Sequence, residues 1–148
     1  MSTATIVIRA PAEAVFETLT DPDCYPRWVV GASHVRDVDA EWPREGSSFH
    51  HSVGVWPFRI NDSTTLVRAD RPRRVELRVR AWPLGEADVR LDLEQRRDLT
   101  RVTIYEAQAE GPGVAVWRAP VVALTAMRNY VSLRRLRDLV ESRASRAA

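Results

Sequence analysis

Residues 74–108, RVELRVRAWPLGEADVRLDLEQRRDLTRVTIYEAQ, alternate apolar and polar side chains in three successive runs. In the first, Val75, Leu77 and Val79 fall on one side and Glu76, Arg78 and Arg80 on the other. Successive side chains of an extended chain point to opposite faces, so this run reads as a strand with one wet face and one buried face. After a turn at Gly85, Val89, Leu91 and Leu93 repeat the pattern against Asp88, Arg90, Asp92 and Glu94, and Val102 and Ile104 repeat it again. The spacing predicts strands over Arg74–Trp82, Ala87–Arg96 and Arg101–Ala109, joined by short turns.

Working upstream, Arg71-Pro72 makes a turn, and strands are expected at Arg59–Arg68, Ser47–Val55 and Val35–Asp39, with Trp56-Pro57, Pro43 and Gly46 marking the connections. Thr3–Arg9 is rich in β-branched residues and supplies the first strand. Pro11 then opens a short helix carrying Val15, Phe16 and Leu19 at helical spacing, and Pro22 opens a second through Asp23, Cys24 and Tyr25. Downstream, past Pro120, nothing interrupts a helix over about Ala119–Arg143, where Leu133, Leu136, Leu139 and Val140 form an apolar stripe. The expected fold is α+β of the helix-grip kind. A curved antiparallel sheet of about seven strands wraps a long C-terminal helix, with two short helices after the first strand.

The 148 residues suit one domain, 1–148, large enough to bury roughly two thirds of its unfolded surface. All 22 basic residues are arginine, yet the formal net charge is only +2, because acids alternate with the arginines along strands and helix faces. That dispersal argues against a nucleic-acid footprint. Cys24 is the only cysteine, so no intrachain disulfide forms. No stretch approaches the roughly 18 apolar residues of a membrane span, and the N-terminus lacks the pattern of a secretory signal. A cytoplasmic protein is expected.

Four stretches, APAEAVFETLTDPDCYPRW, RPRRVELRV, TRVTIYE and SLRRLRDLVE, together with the order of elements, resemble the START-like (SRPBCC) helix-grip superfamily and in particular its small polyketide cyclase/dehydrase-type members. The chain departs from the commoner pattern in having Asp70-Arg71-Pro72 where many members carry two successive prolines. The resemblance implies a cavity between sheet and helix that takes lipids, polyketides, sterols or other apolar molecules. Some relatives catalyse cyclisation or dehydration there, and others carry or sense a ligand.

Several side chains are placed to serve such a cavity. Glu106 shares the inward face of the last strand with Val102 and Ile104, and His51 shares its strand face with Phe49, Val53 and Val55. Both are candidate proton donors or acceptors, or structural groups satisfied by hydrogen bonds. Projected back along the helix, the stripe through Leu133, Leu136 and Val140 reaches Ser132, Asn129, Thr125 and Val122, so the sheet-facing side becomes small and polar in its first half. Thr125 and Asn129 are therefore candidate ligand contacts. Phe49, Trp28, Trp56, Phe58 and Trp82 are candidates for the pocket wall and its mouth. A second stripe, Leu124, Met127, Tyr130 and Val131, either packs on the first two helices or meets a second copy in a homodimer. No paired histidine spacing indicates a metal, and no GxSxG elbow, P-loop, dinucleotide fingerprint or HExxH is present. No cofactor is expected.

Three functions compete. The first is binding or carriage of a small hydrophobic ligand, since hiding about 300 Å² of apolar surface yields several kcal/mol without any reactive group. The second is a polyketide cyclase, aromatase or dehydratase in which His51 or Glu106 moves a proton from an acidic carbon and Asn129 or Thr125 holds the developing enolate. The third is a protein-interaction module using the second stripe. The first reading is preferred.

Overall fold

The computed structural model describes residues 1–54, 57, 59–81, 85–108 and 118–147. Its elements are β1 (Ser2–Ile8), α1 (Ala12–Thr20), α2 (Tyr25–Trp28), β2 (Ala32–Val38), β3 (Ser48–Val53), β4 (Ile60–Asp70), β5 (Arg74–Ala81), β6 (Gly85–Arg96), β7 (Leu99–Gln108) and α3 (Arg118–Ala147). The strands form one curved antiparallel sheet in the order β1-β7-β6-β5-β4-β3-β2, and α3 packs against β1, α1 and α2. The α+β helix-grip arrangement expected from the pattern is the one observed.

The alternation of residues 74–108 has a cross-strand counterpart. Arg74 faces Asp92, Arg78 faces Asp88 and Arg80 faces Glu86 in register, with Nε–carboxylate distances of 2.7, 2.9 and 2.8 Å. The wet face is thus laced by opposite charges while Val75, Leu77, Val89, Leu91 and Leu93 lie buried on the other. Among the strands, the expected and observed bounds differ most at β2, which begins at Ala32 and carries two register shifts against β3. An edge strand with bulges buries little, so it shows no clean alternation to read. The helix also runs to Ala147, beyond the expected end at Arg143, because Ala144, Ser145, Arg146 and Ala147 contain no helix breaker.

The corner between β1 and α1 is held by side chains from three elements. Thr100 Oγ1 donates to the carbonyl of Ala10 at 2.7 Å, while Gln95 Oε1 and Glu141 Oε1 accept from the amides of Ala12 and Arg9, both at 2.9 Å. These contacts give the first turn of α1 a partner that Pro11, its N-cap, cannot supply. Below that corner Ile8, Val15, Phe16, Leu91, Val102 and Leu136 make an apolar core. The stripe of Leu124, Met127, Tyr130 and Val131 is exposed by 67, 63, 48 and 37 %, so it does not pack on the first two helices. Among the described residues, no helix is long and apolar enough to cross a membrane.

Candidate functional site

The interior changes character along its length, and five elements change together. On β7 the inward series Val102, Ile104 ends in Glu106; on β1 Ile8 and Ile6 give way to Ser2; on β4 Leu66 gives way to Thr64 and Asp62. On β3 Phe49 is followed by His51, and on α3 Leu136 and Leu133 are followed by Ser132 and Asn129. The alternating strand directions bring all these polar residues to one end, where β3, β5 and β7 finish. Every one of them is buried.

Two hydrogen-bonded groups make up that end. In the first, Thr64 Oγ1 lies 2.9 Å from His51 Nε2 and 3.2 Å from the Tyr25 hydroxyl. The rings of Tyr25, Phe49 and His51 pack together, with Tyr25–Phe49 centroids 4.7 Å apart and Tyr25–His51 4.9 Å. In the second, Glu106 Oε2 accepts from Arg128 Nη2 at 2.7 Å and from Asn129 Nδ2 at 2.8 Å, and Asn129 Nδ2 also approaches Ser2 Oγ at 3.3 Å. Asp62 stands opposite His51 in the β3–β4 register and accepts from the Ser63 amide at 2.7 Å.

Burial sets the electrostatics. It pushes His51 down to about 4, helped by the positive charge of Arg36, so the imidazole is neutral at physiological pH. It pushes Asp62 up to about 6, against the stabilising Ser63 amide. Tyr25 is driven to about 12, chiefly by burial, and feels the charges of Asp62, Arg128 and Glu106, which places the two groups within electrostatic reach of each other. Cys24 is raised by burial and by its contact with Asp21, so it stays a thiol and is not a poised nucleophile. Among the described residues, no three His, Cys, Asp or Glu side chains converge as a metal-binding group. A surface depression flanked by Asp39, Glu41 and Glu45 opens at the other end of β3, apart from this interior.

Of the residues expected from the sequence, His51, Glu106, Phe49, Trp28 and Asn129 are buried in this interior, and Thr125 is half-buried one turn before Asn129. His51 and Glu106 occupy the same side of the sheet but separate hydrogen-bonded groups. Trp56, Phe58 and Trp82 lie outside the described residues. Sequence reading missed Asp62, Thr64, Tyr25 and Arg128. Asp62 and Thr64 share strand parity with Leu66 and could have been found by the rule that found His51.

A sequence profile of the family described as "Polyketide cyclase / dehydrase and lipid transport" matches residues 2–141. The chain belongs to that family. Among solved structures, this polyketide cyclase/dehydrase and lipid transport family member is similar to protein CV1439 from Chromobacterium violaceum, with a TM-score of 0.74 and 18 % identity over 95 % of this chain and 99 % of that one. It is similar to protein NE0264 from Nitrosomonas europaea, with a TM-score of 0.71 and 18 % identity over 96 % of each chain. CalU16 from Micromonospora echinospora has a TM-score of 0.64 and 19 % identity over 93 % of this chain and 72 % of that one. At these identities the likeness is one of fold. A search of curated proteins found no match in sequence.

Proposed function

We propose that residues 1–148 act as one START-like ligand-binding domain that takes a small hydrophobic molecule, a lipid, polyketide or aromatic compound, into the polar end of the interior between the sheet and α3. The observation that carries this reading is the joint change from apolar to polar on β1, β3, β4, β7 and α3 at one end. A core built for stability alone keeps apolar side chains throughout, because each buried polar group costs free energy unless it finds a partner. Family membership supports the same reading. Native mass spectrometry of freshly purified protein, followed by solvent extraction, tests it: a co-purified apolar molecule is expected. A crystal structure with this end filled by side chains throughout, and no ligand bound from a panel of lipids and ring compounds, would defeat it.

Cyclase or dehydratase chemistry is the second reading, and Asp62 is the observation that favours it. A carboxyl held at about 6 beside a neutral imidazole can exchange a proton near neutral pH, which general acid–base catalysis requires. Glu106, engaged by Arg128 and Asn129, suits ligand positioning better than proton transfer. Once a substrate is identified, the rate of Asp62→Asn separates the readings: binding retained with turnover lost supports an enzyme.

A further inference from the structure

Two polar atoms of this interior have no hydrogen-bond partner among the described residues, Trp28 Nε1 and His51 Nδ1. Their residues are 3 % and 1 % exposed, so surface solvent does not supply the partner. Their rings lie on the Tyr25 ring, with centroids 5.6 and 4.9 Å from it. Trp42 shows how the same aromatic cluster treats an indole N–H when no guest is needed: its Nε1 donates to the Thr20 carbonyl at 2.6 Å. A buried polar atom left unmatched is costly, and native proteins rarely keep two against one ring.

The two atoms ask for particular chemistry. An indole N–H can only donate. His51 Nδ1 can do either, because Thr64 Oγ1 sits between His51 Nε2 and the Tyr25 hydroxyl and can pass its proton to either side. The charge of the site narrows the choice further. Asp62 and Glu106 put carboxyl groups into this end; of the guanidiniums near it, Arg128 is already engaged by Glu106 and Arg36 donates to the His51 carbonyl at 3.5 Å. A ligand carboxylate or phosphate would meet repulsion there.

Resting on the ligand-binding reading above, we infer that the guest is an uncharged oxygenated ring compound, a cyclic ketone or quinone, whose carbonyl oxygen accepts from Trp28 Nε1–H while a second oxygen or hydroxyl meets His51 Nδ1. The rings of Tyr25, Phe49 and His51, tilted by 39–74° to one another, offer aromatic edges and faces to such a scaffold. A simple hydrocarbon leaves both atoms unmatched, and a fatty acid brings the wrong charge.

The test is calorimetric titration of the full chain with 1-tetralone and with tetralin, bicyclic probes that differ by one carbonyl oxygen. The parent protein is expected to prefer 1-tetralone by about tenfold, the size of one well-made hydrogen bond. Trp28→Phe, which keeps an aromatic ring and removes the N–H, should abolish that preference. Should the variant misfold, the parent still decides: the Trp28 indole N–H resonance must move on adding 1-tetralone and stay in place with tetralin. Equal affinity of the parent for the two probes, or an unmoved indole resonance, overturns the inference and leaves hydrophobic binding standing. Binding of neither probe, with lipids bound instead, overturns it in favour of an acyl-chain guest. Binding of nothing overturns the ligand-binding reading as well.

Discussion

His51 and Asp62 face each other across the β3–β4 pair, and burial drives them past one another: the imidazole falls to about 4 and the carboxyl rises to about 6. In water the histidine would hold its proton to a higher pH than the aspartate. In this interior the order is reversed, and between those values the proton belongs to Asp62. Each group would otherwise be a lone buried charge, and the fold keeps both neutral over that window.

Opposite linkage follows from this inversion. His51 binds its proton less well folded than unfolded, so its contribution to stability is present above its unfolded value of 6.5 and is lost as pH falls toward 4. Asp62 binds its proton better folded than unfolded, so its contribution is present below 3.8 and is lost as pH rises through about 6. The two slopes offset each other in the parent. Asp62→Asn removes one of them, and the variant should lose about 3 kcal/mol of stability between pH 6.5 and pH 4 beyond whatever the parent loses. Urea titrations of both proteins at the two pH values measure this, and parallel pH profiles would mean that burial does not raise the Asp62 carboxyl.

Glu106 should be a stability residue, because its carboxylate accepts from both Arg128 and Asn129. Replacing it with leucine leaves Asn129 Nδ2, which is buried, without its 2.8 Å acceptor, while half-exposed Arg128 can turn to water. A loss of about 2–4 kcal/mol is expected for Glu106→Leu and less for Glu106→Gln. Because the two side chains share one bond, a double-mutant cycle with Asn129→Leu should show a coupling of about 1–2 kcal/mol in chemical denaturation.

The two ends of α3 predict opposite tolerance. Leu136 is fully buried in the apolar half, so Leu136→Ala should cost about 2–5 kcal/mol. Leu124 is 67 % exposed, so Leu124→Ser should change stability by less than about 0.5 kcal/mol. Urea midpoints of the two variants decide; a large loss at Leu124 would mean that another surface covers it.

The strands from β5 to β7 were readable in the sequence because each has one wet face and one dry face, and a period of two survives in the residue types. The same rule found His51 from Phe49 and Glu106 from Ile104, and helical spacing found Asn129 from Leu133 and Leu136. Asp62 escaped because an aspartate on a strand looks like a solvent-facing residue, and burial is a property of what packs over it. Tyr25 escaped for another reason: α2 is four residues long, too short for any periodicity to show which way its ring points. The unmatched atoms of Trp28 and His51 have no sequence signal at all, since only coordinates tell a matched indole such as Trp42 from an unmatched one.

Thr64 ties the histidine to the tyrosine, and its hydroxyl is the part that matters. The side chain is fully buried, with Oγ1 2.9 Å from His51 Nε2 and 3.2 Å from the Tyr25 hydroxyl. Thr64→Val keeps the volume and the β-branched shape that suit a strand but strips both neighbours of their partner at once. It should cost about 2–4 kcal/mol, although the apolar contacts are unchanged. Thr64→Ser loses a methyl group yet keeps the hydroxyl, so it should cost only about 1 kcal/mol. Equilibrium unfolding in urea ranks the two: serine above valine makes the hydroxyl the link between the rings, and valine above serine would mean that Thr64 is held for packing alone.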